Sequence, residues 1–143
     1  MIFRVHGEIV SYKSPKFSSE NNKVFQSKRV KEYQQFIGFS AKKYMMKNDV
    51  KKIIGPVGLS IKAFFSPPKS RFKDIKAGNI THTTYPDCSN ILKLVEDALK
   101  DICFEDDRYV VCAIIAKEYV KNIDDESYIE IHIEEISNAI NLV

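Results

Sequence analysis

Two apolar patterns of different period lie back to back between Asn90 and Ala116, and a chain containing them must pack a helix against a strand. Ile91, Leu94, Val95, Ala98 and Ile102 recur at helical spacing, with Asn90, Lys93 and Asp97 on the opposite face. The run Tyr109-Val110-Val111-Cys112-Ala113-Ile114-Ile115-Ala116 has several β-branched residues and reads as a buried strand reaching about residue 120. Pro86 lacks an N–H and pushes Tyr85 toward extended backbone, which leaves Asp87 just ahead of the helix. Glu105-Asp106-Asp107 occupies the short connection between helix and strand. Carboxylates therefore stand at both ends of a helix whose polar face carries a lysine.

The flanking segments fit around this unit. In Ile2 to Val10, Phe3, Val5 and Ile9 alternate with Arg4, His6 and Glu8, the pattern of a half-buried strand with Gly7 as a candidate bulge. Ser11 to Ser27 mixes Lys13, Lys16 and Lys23 with Ser, Asn, Pro and aromatic residues without a period, and reads as a long mobile loop. Ser27 can cap a basic amphipathic helix with Val30, Tyr33, Ile37, Ala41 and Tyr44 or Met45 inward. Val57, Leu59, Ile61, Ala63 and Phe65 make a second strand, ended by Pro67-Pro68. Lys69 to Thr84 is lysine-rich with few apolar residues, a lid or binding loop if ordered and a plain disordered loop otherwise. His82, near its end, has the weight of an ordinary loop histidine.

Asn122 to Glu126 reads as a turn, and Ile129, Ile131 and Ile133 mark a last strand that forms an antiparallel hairpin with the run before it. On that strand His132 shares the polar side with Glu130 and Glu134. The order β, α, β, α, β, β predicts one α+β domain over residues 1–143, with a mixed or antiparallel four-stranded sheet covered by two helices.

Composition narrows the function. With 143 residues and 44% hydrophobic residues the chain can bury one core. No stretch reaches the length of a membrane span and the N-terminus lacks a secretory pattern, so a cytoplasmic protein is expected. Cys88, Cys103 and Cys112 are odd in number and lack zinc-site spacing, which favours free thiols. Residues 1–86 hold 17 Lys and Arg against 5 Asp and Glu (+12), whereas 87–143 hold 5 against 14 (−9). A basic half suits a polyanion and an acidic half a cation, although one-signed blocks are commonly solvated faces. Together they fit an enzyme acting on nucleic acid.

Phosphodiester hydrolysis needs a Lewis acid to neutralise developing charge and to lower the pKa of the attacking water. Mg²⁺ keeps several waters and needs only a few carboxylates, for which Asp87, Asp106 and Asp107 are candidates, with Mn²⁺ as the alternative ion. Lys93 can hold the scissile phosphate, and Asn90 can orient a ligand or contact the substrate backbone. Lys13, Lys16, Lys28, Arg29, Lys69, Arg71 and Lys73 can neutralise other phosphates. On spacing alone a structural reading competes: Asp87 favours the helix N-terminus, and Glu96 with Lys100 is an exposed i,i+4 pair.

The whole pattern shifts that balance. Pro86-Asp87-x-Ser89-Asn90-x-x-Lys93, then Asp97-Ala98-Leu99, then Asp106-Asp107 and Val110-Val111, resembles the RusA family of Holliday-junction resolvases, whose hallmark is P-D-x-D-N-x-x-K, D-A-L and D-D. The order of elements and the basic segment from Ser11-Tyr12-Lys13 extend the likeness over most of the chain. The resemblance implies a RusA-like fold and a homodimeric, Mg²⁺-dependent endonuclease, usually of phage or prophage origin, that cuts four-way DNA symmetrically. By position, Asp87 and Asp107 would bind metal, Lys93 would act on the phosphate, and Asn90 and Asp106 would support them, with Asp97 in a structural role.

Ser89 departs from the pattern, since its hydroxyl brings no negative charge where the family carries a second aspartate. It caps the helix, binds metal weakly or through water, or marks a protein that binds junctions without cutting them. The broader P-D…(D/E)-x-K nuclease pattern fits less well, because no (D/E)-x-K tripeptide follows on the strand.

Overall fold

The computed structural model describes residues 1–13, 16–17, 24–25 and 27–137, with backbone only at 16, 17, 24 and 25. The side chain of Lys16, most of the expected loop and the last residues of the tail lie outside the described residues.

Strand β1 (Ile2–His6) opens the chain and alternates between buried and exposed side chains. Lys16–Phe17 (β2) and Val24–Phe25 (β3) pair antiparallel, so the segment expected as a loop without structure contains a short ribbon. Helix α1 (Lys28–Lys47) starts where Ser27 Oγ accepts a hydrogen bond from the Val30 N–H at 3.3 Å. Its buried stripe is Val30, Tyr33, Ile37, Gly38 and Ala41. Strand β4 (Val57–Phe65) is followed by a 3₁₀ turn (Lys69–Arg71) and a short helix α2 (Phe72–Lys76). Helix α3 (Cys88–Leu99), strand β5 (Val110–Tyr119) and strand β6 (Tyr128–Glu135) complete the fold.

The sheet order is β1-β6-β4-β5. β6 runs antiparallel to both neighbours and β4 runs parallel to β5, giving a mixed sheet. The expected β5–β6 hairpin does not form, because β4 lies between the two strands. A parallel β4–β5 pair requires a crossover, and α3 is that crossover. β5 is consequently an edge strand rather than a buried one, with Val111 and Ile114 left 49% and 60% exposed. An apolar run reports β-propensity and does not by itself report how many neighbours the strand has.

α1 packs on β1 and on α3, and α3 packs on β5. They enclose one core in which Ile37, Ile61, Leu94, Leu99, Ile129 and Ile131 are completely buried. Gly38 permits the helix contact: a Cβ there would stand 2.9 Å from Ile102 Cδ1 and 3.4 Å from the Ala98 carbonyl oxygen. α1 thus lies close enough to α3 for its side chains to reach α3's polar face. No described helix is long and apolar enough to cross a membrane.

Candidate active site

The positions of the acidic residues follow from how α3 ends. After Leu99 the chain turns through Lys100 and Asp101, whose φ of 64° is left-handed, and the Asp101 N–H returns to the Phe104 carbonyl at 2.7 Å. Cys103 and Phe104 are completely buried and anchor this turn in the core. The chain that leaves it runs back toward the helix face carrying Lys93, Glu96, Asp97 and Lys100. That face is set by spacing, since these residues stand three and four positions apart.

Asp106 and Asp107 then take different jobs. Asp106 Oδ1 accepts from the Arg108 N–H at 3.0 Å, capping the 3₁₀ turn Asp107–Tyr109, and its Oδ2 lies 3.3 Å from Lys100 Nζ. The Arg108 N–H, with Lys100 second, holds the Asp106 carboxyl below the usual carboxylate range. Lys100 therefore pairs with Asp106 and not with Glu96. Asp107 Oδ2 accepts from Lys93 Nζ at 3.0 Å. The same ammonium lies 3.3 Å from Asp97 Oδ1, one helical turn on. Its hydrogen bond to Asp107 raises the Lys93 pKa, burial opposes this, and Asp97 adds to the rise. Lys93 stays a cation while its side chain remains 53% exposed.

Glu96 joins this group electrostatically. It is half-buried; burial pushes its carboxyl up, Lys93 opposes, and the charges of Asp107 and Asp97 add to the rise. Reading it as an exposed partner of Lys100 misses this role. The signal was its place between Lys93 and Asp97 on one helical face.

Asp87 enters from the other end of the helix. It is the N-cap by backbone geometry, and its carbonyl accepts from the N–H groups of Asn90 and Ile91 at 3.2 and 3.1 Å. Its side chain makes no capping hydrogen bond and is exposed, so the carboxylate is not committed to the helix. Ser89 is exposed and Asn90 half-buried in the first turn. The turn before Asp87 is held by Lys117, a residue the sequence reading passed over. Its Nζ donates to the Thr84 and Pro86 carbonyls at 2.8 and 2.9 Å. His82, expected as an ordinary loop residue, is buried and stacks on Phe65 with ring centroids 3.9 Å apart.

Among the described residues no three His, Cys, Asp or Glu side chains are grouped to hold a metal ion. The exposed carboxylate of Asp87 and that of Asp107 offer hard oxygens, the donor type that magnesium takes while it keeps most of its waters. Of the expected DNA contacts, Lys13, Lys28, Arg29, Lys69, Arg71 and Lys73 are exposed. Arg29 pairs with Glu8, and Lys28 lies 3.6 Å from Glu32. Such surface pairs contribute little, so a phosphate can compete for both cations.

A family model described as Endodeoxyribonuclease RusA matches residues 6–134. The chain is also 32% identical to "Uncharacterized protein YqaN" of Bacillus subtilis (strain 168), over 94% of this chain and 96% of that protein. With nearly its whole length inside that family model, and with the motif residues on one helix and the turn that faces it, the chain belongs to the RusA family of endodeoxyribonucleases.

Proposed function

We propose that this protein is a Mg²⁺-dependent endonuclease that resolves four-way DNA junctions by paired phosphodiester hydrolysis as a homodimer. The observation that carries the reading is the Lys93 ammonium bracketed by Asp107 at 3.0 Å and Asp97 at 3.3 Å, in a chain of the RusA family. An ammonium has three N–H donors. Two face these carboxylates, and the open side of Lys93 leaves the third for a phosphate oxygen, where its charge opposes the negative charge that develops during cleavage.

Asp87 and Asp107 would hold the ion. Bound there, Mg²⁺ supplies charge neutralisation at the phosphate and a water of lowered pKa. Asp106, with both oxygens engaged, fixes the turn that presents Asp107. The exposed cations of the basic half take up flanking phosphates, and two matched cuts call for two sites related by a twofold axis.

A second reading, a junction-binding protein without activity, is favoured by the neutral Ser89 and by the lack of a three-carboxylate group among the described residues. The Asp107→Asn variant separates the two. The nuclease reading expects cutting to be lost while junction affinity stays within a few-fold of the parent, and cutting that survives the change contradicts it.

A further inference from the structure

Lys93 is placed by more than its two carboxylates. Behind Asp97 stands Tyr12, whose hydroxyl donates to Asp97 Oδ2 at 2.6 Å. The Tyr12 oxygen in turn accepts from Gln34 Nε2 of α1 at 2.7 Å. Gln34 Nε2 also lies 3.4 Å from the Leu94 carbonyl, an acceptor only, which orients the amide with its nitrogen toward α3. With the amide so turned, Tyr12 receives a hydrogen bond from Gln34, and its single proton is directed at Asp97. Three separate parts of the chain meet here: the segment after β1, the second turn of α1 and the polar face of α3.

The direction of these bonds has a consequence for the site. Asp97 Oδ2 is occupied by Tyr12, so Oδ1 is the oxygen turned to Lys93, at 3.3 Å. A lysine side chain has several rotatable bonds and holds one position only when fixed partners constrain it. Asp107 is one partner; Asp97, clamped from behind, is the other. Tyr12 is half-buried against the core and Gln34 is half-buried, so the clamp is itself supported by packing.

We infer that Tyr12 and Gln34 are positioning residues for Lys93, acting through Asp97; the catalytic consequence rests on the nuclease reading, whereas the placement of the ammonium does not. Neither residue touches the phosphate. Their effect is to keep the ammonium between Asp97 and Asp107, where it can meet a bound strand without rearranging.

Tyr12→Phe keeps the ring and removes the hydroxyl. Incision of a four-way junction is expected to show kcat reduced on the order of tenfold, the loss of one hydrogen bond to a charged group, with KM and junction affinity unchanged. The combined Tyr12→Phe, Asp97→Asn protein is expected to be no slower than Asp97→Asn alone, because both changes break the same link. A purely structural role would instead give additive losses or an altered KM, and either result overturns the inference.

A second readout needs no activity. The ¹H–¹⁵N signal of the Lys93 ammonium in the DNA-free protein is expected to exchange faster with solvent in Tyr12→Phe and in Gln34→Leu than in the parent. Equal exchange in all three contradicts the inference. If the parent protein cuts no junction, the nuclease reading falls, and this ammonium exchange still decides whether Tyr12 and Gln34 place Lys93. Should Tyr12→Phe fail to fold, Gln34→Leu carries both measurements.

Discussion

Lys117, near the end of β5, donates to the carbonyl of Pro86 at 2.9 Å, immediately ahead of Asp87. With its bond to Thr84 at 2.8 Å, it spans the turn that delivers Asp87 to the start of α3. One strand thus serves both ends of the candidate site, with Asp107 opening the 3₁₀ turn that leads into it and Lys117 bracing the turn before Asp87.

Lys117→Met is therefore expected to free this turn. Two exposed or half-exposed carbonyls can rehydrate, so the stability loss should be modest, about 1 kcal/mol. Junction incision is expected to fall about tenfold through misplacement of Asp87. Urea denaturation and incision kinetics on the same preparation check this, and unchanged incision would remove Lys117 from the account.

Lys93→Met removes the charge proposed to face the phosphate and leaves Asp97 and Asp107 facing each other without a cation. Cutting is expected to drop by about 10²–10³, the usual loss for one preorganised electrostatic contact. Junction binding should remain within a few-fold, since the other exposed cations of the basic half can neutralise backbone phosphates. Gel-shift and incision titrations read both.

Ser89→Asp places a carboxylate two residues from Asp87 in an exposed first turn. Added negative charge is tolerated at a helix N-terminus, so the fold should be unaffected. The expected outcome is a lower Mg²⁺ concentration for half-maximal cutting, together with a higher maximal rate. A Mg²⁺ titration with no shift would count against metal binding beside Asp87.

His82 predicts a specific acid sensitivity. Burial lowers its pKa, and the Lys117 charge adds to the lowering. With the folded pKa below the unfolded value, the unfolded chain binds more protons between the two. Stability from this group is present above the ordinary histidine value of 6.5 and is lost as pH falls below it, toward the folded pKa. His82→Phe keeps a ring to stack on Phe65 and cannot be protonated, so its stability should vary less with pH across that window. Chemical denaturation of both proteins at stepped pH gives the difference, and parallel pH profiles would contradict the assignment.

Helices and single strands were legible because period and capping are local. Ser27, the α1 stripe, the β4 alternation and the Lys93–Asp97 face all depend on residues within a few positions. Strand neighbours were not. Short connections favour hairpins, and nothing in β5 or β6 alone reveals that β4 inserts between them. The same insertion left the apolar β5 at the edge. Of the candidate site, the Lys93–Asp97 pair was legible because one helical face displays it, and Asp87 and Asp107 are named by the motif. Lys117 escaped because its partners are backbone carbonyls 31 and 33 residues away, which carry no side-chain signature. Tyr12 and Gln34 escaped because their meeting with Asp97 depends on the close approach of α1 and α3 at Gly38.

The most direct measurement is incision of a synthetic four-way DNA junction beside a linear duplex of matched sequence, each with Mg²⁺ and with EDTA, and with Asp87→Asn as control. The account predicts paired, symmetrically placed cuts in the junction alone, dependent on the metal and lost in the control. Salt-sensitive junction binding with no cuts in Mg²⁺ or Mn²⁺ would contradict it, as would cutting that continues in EDTA.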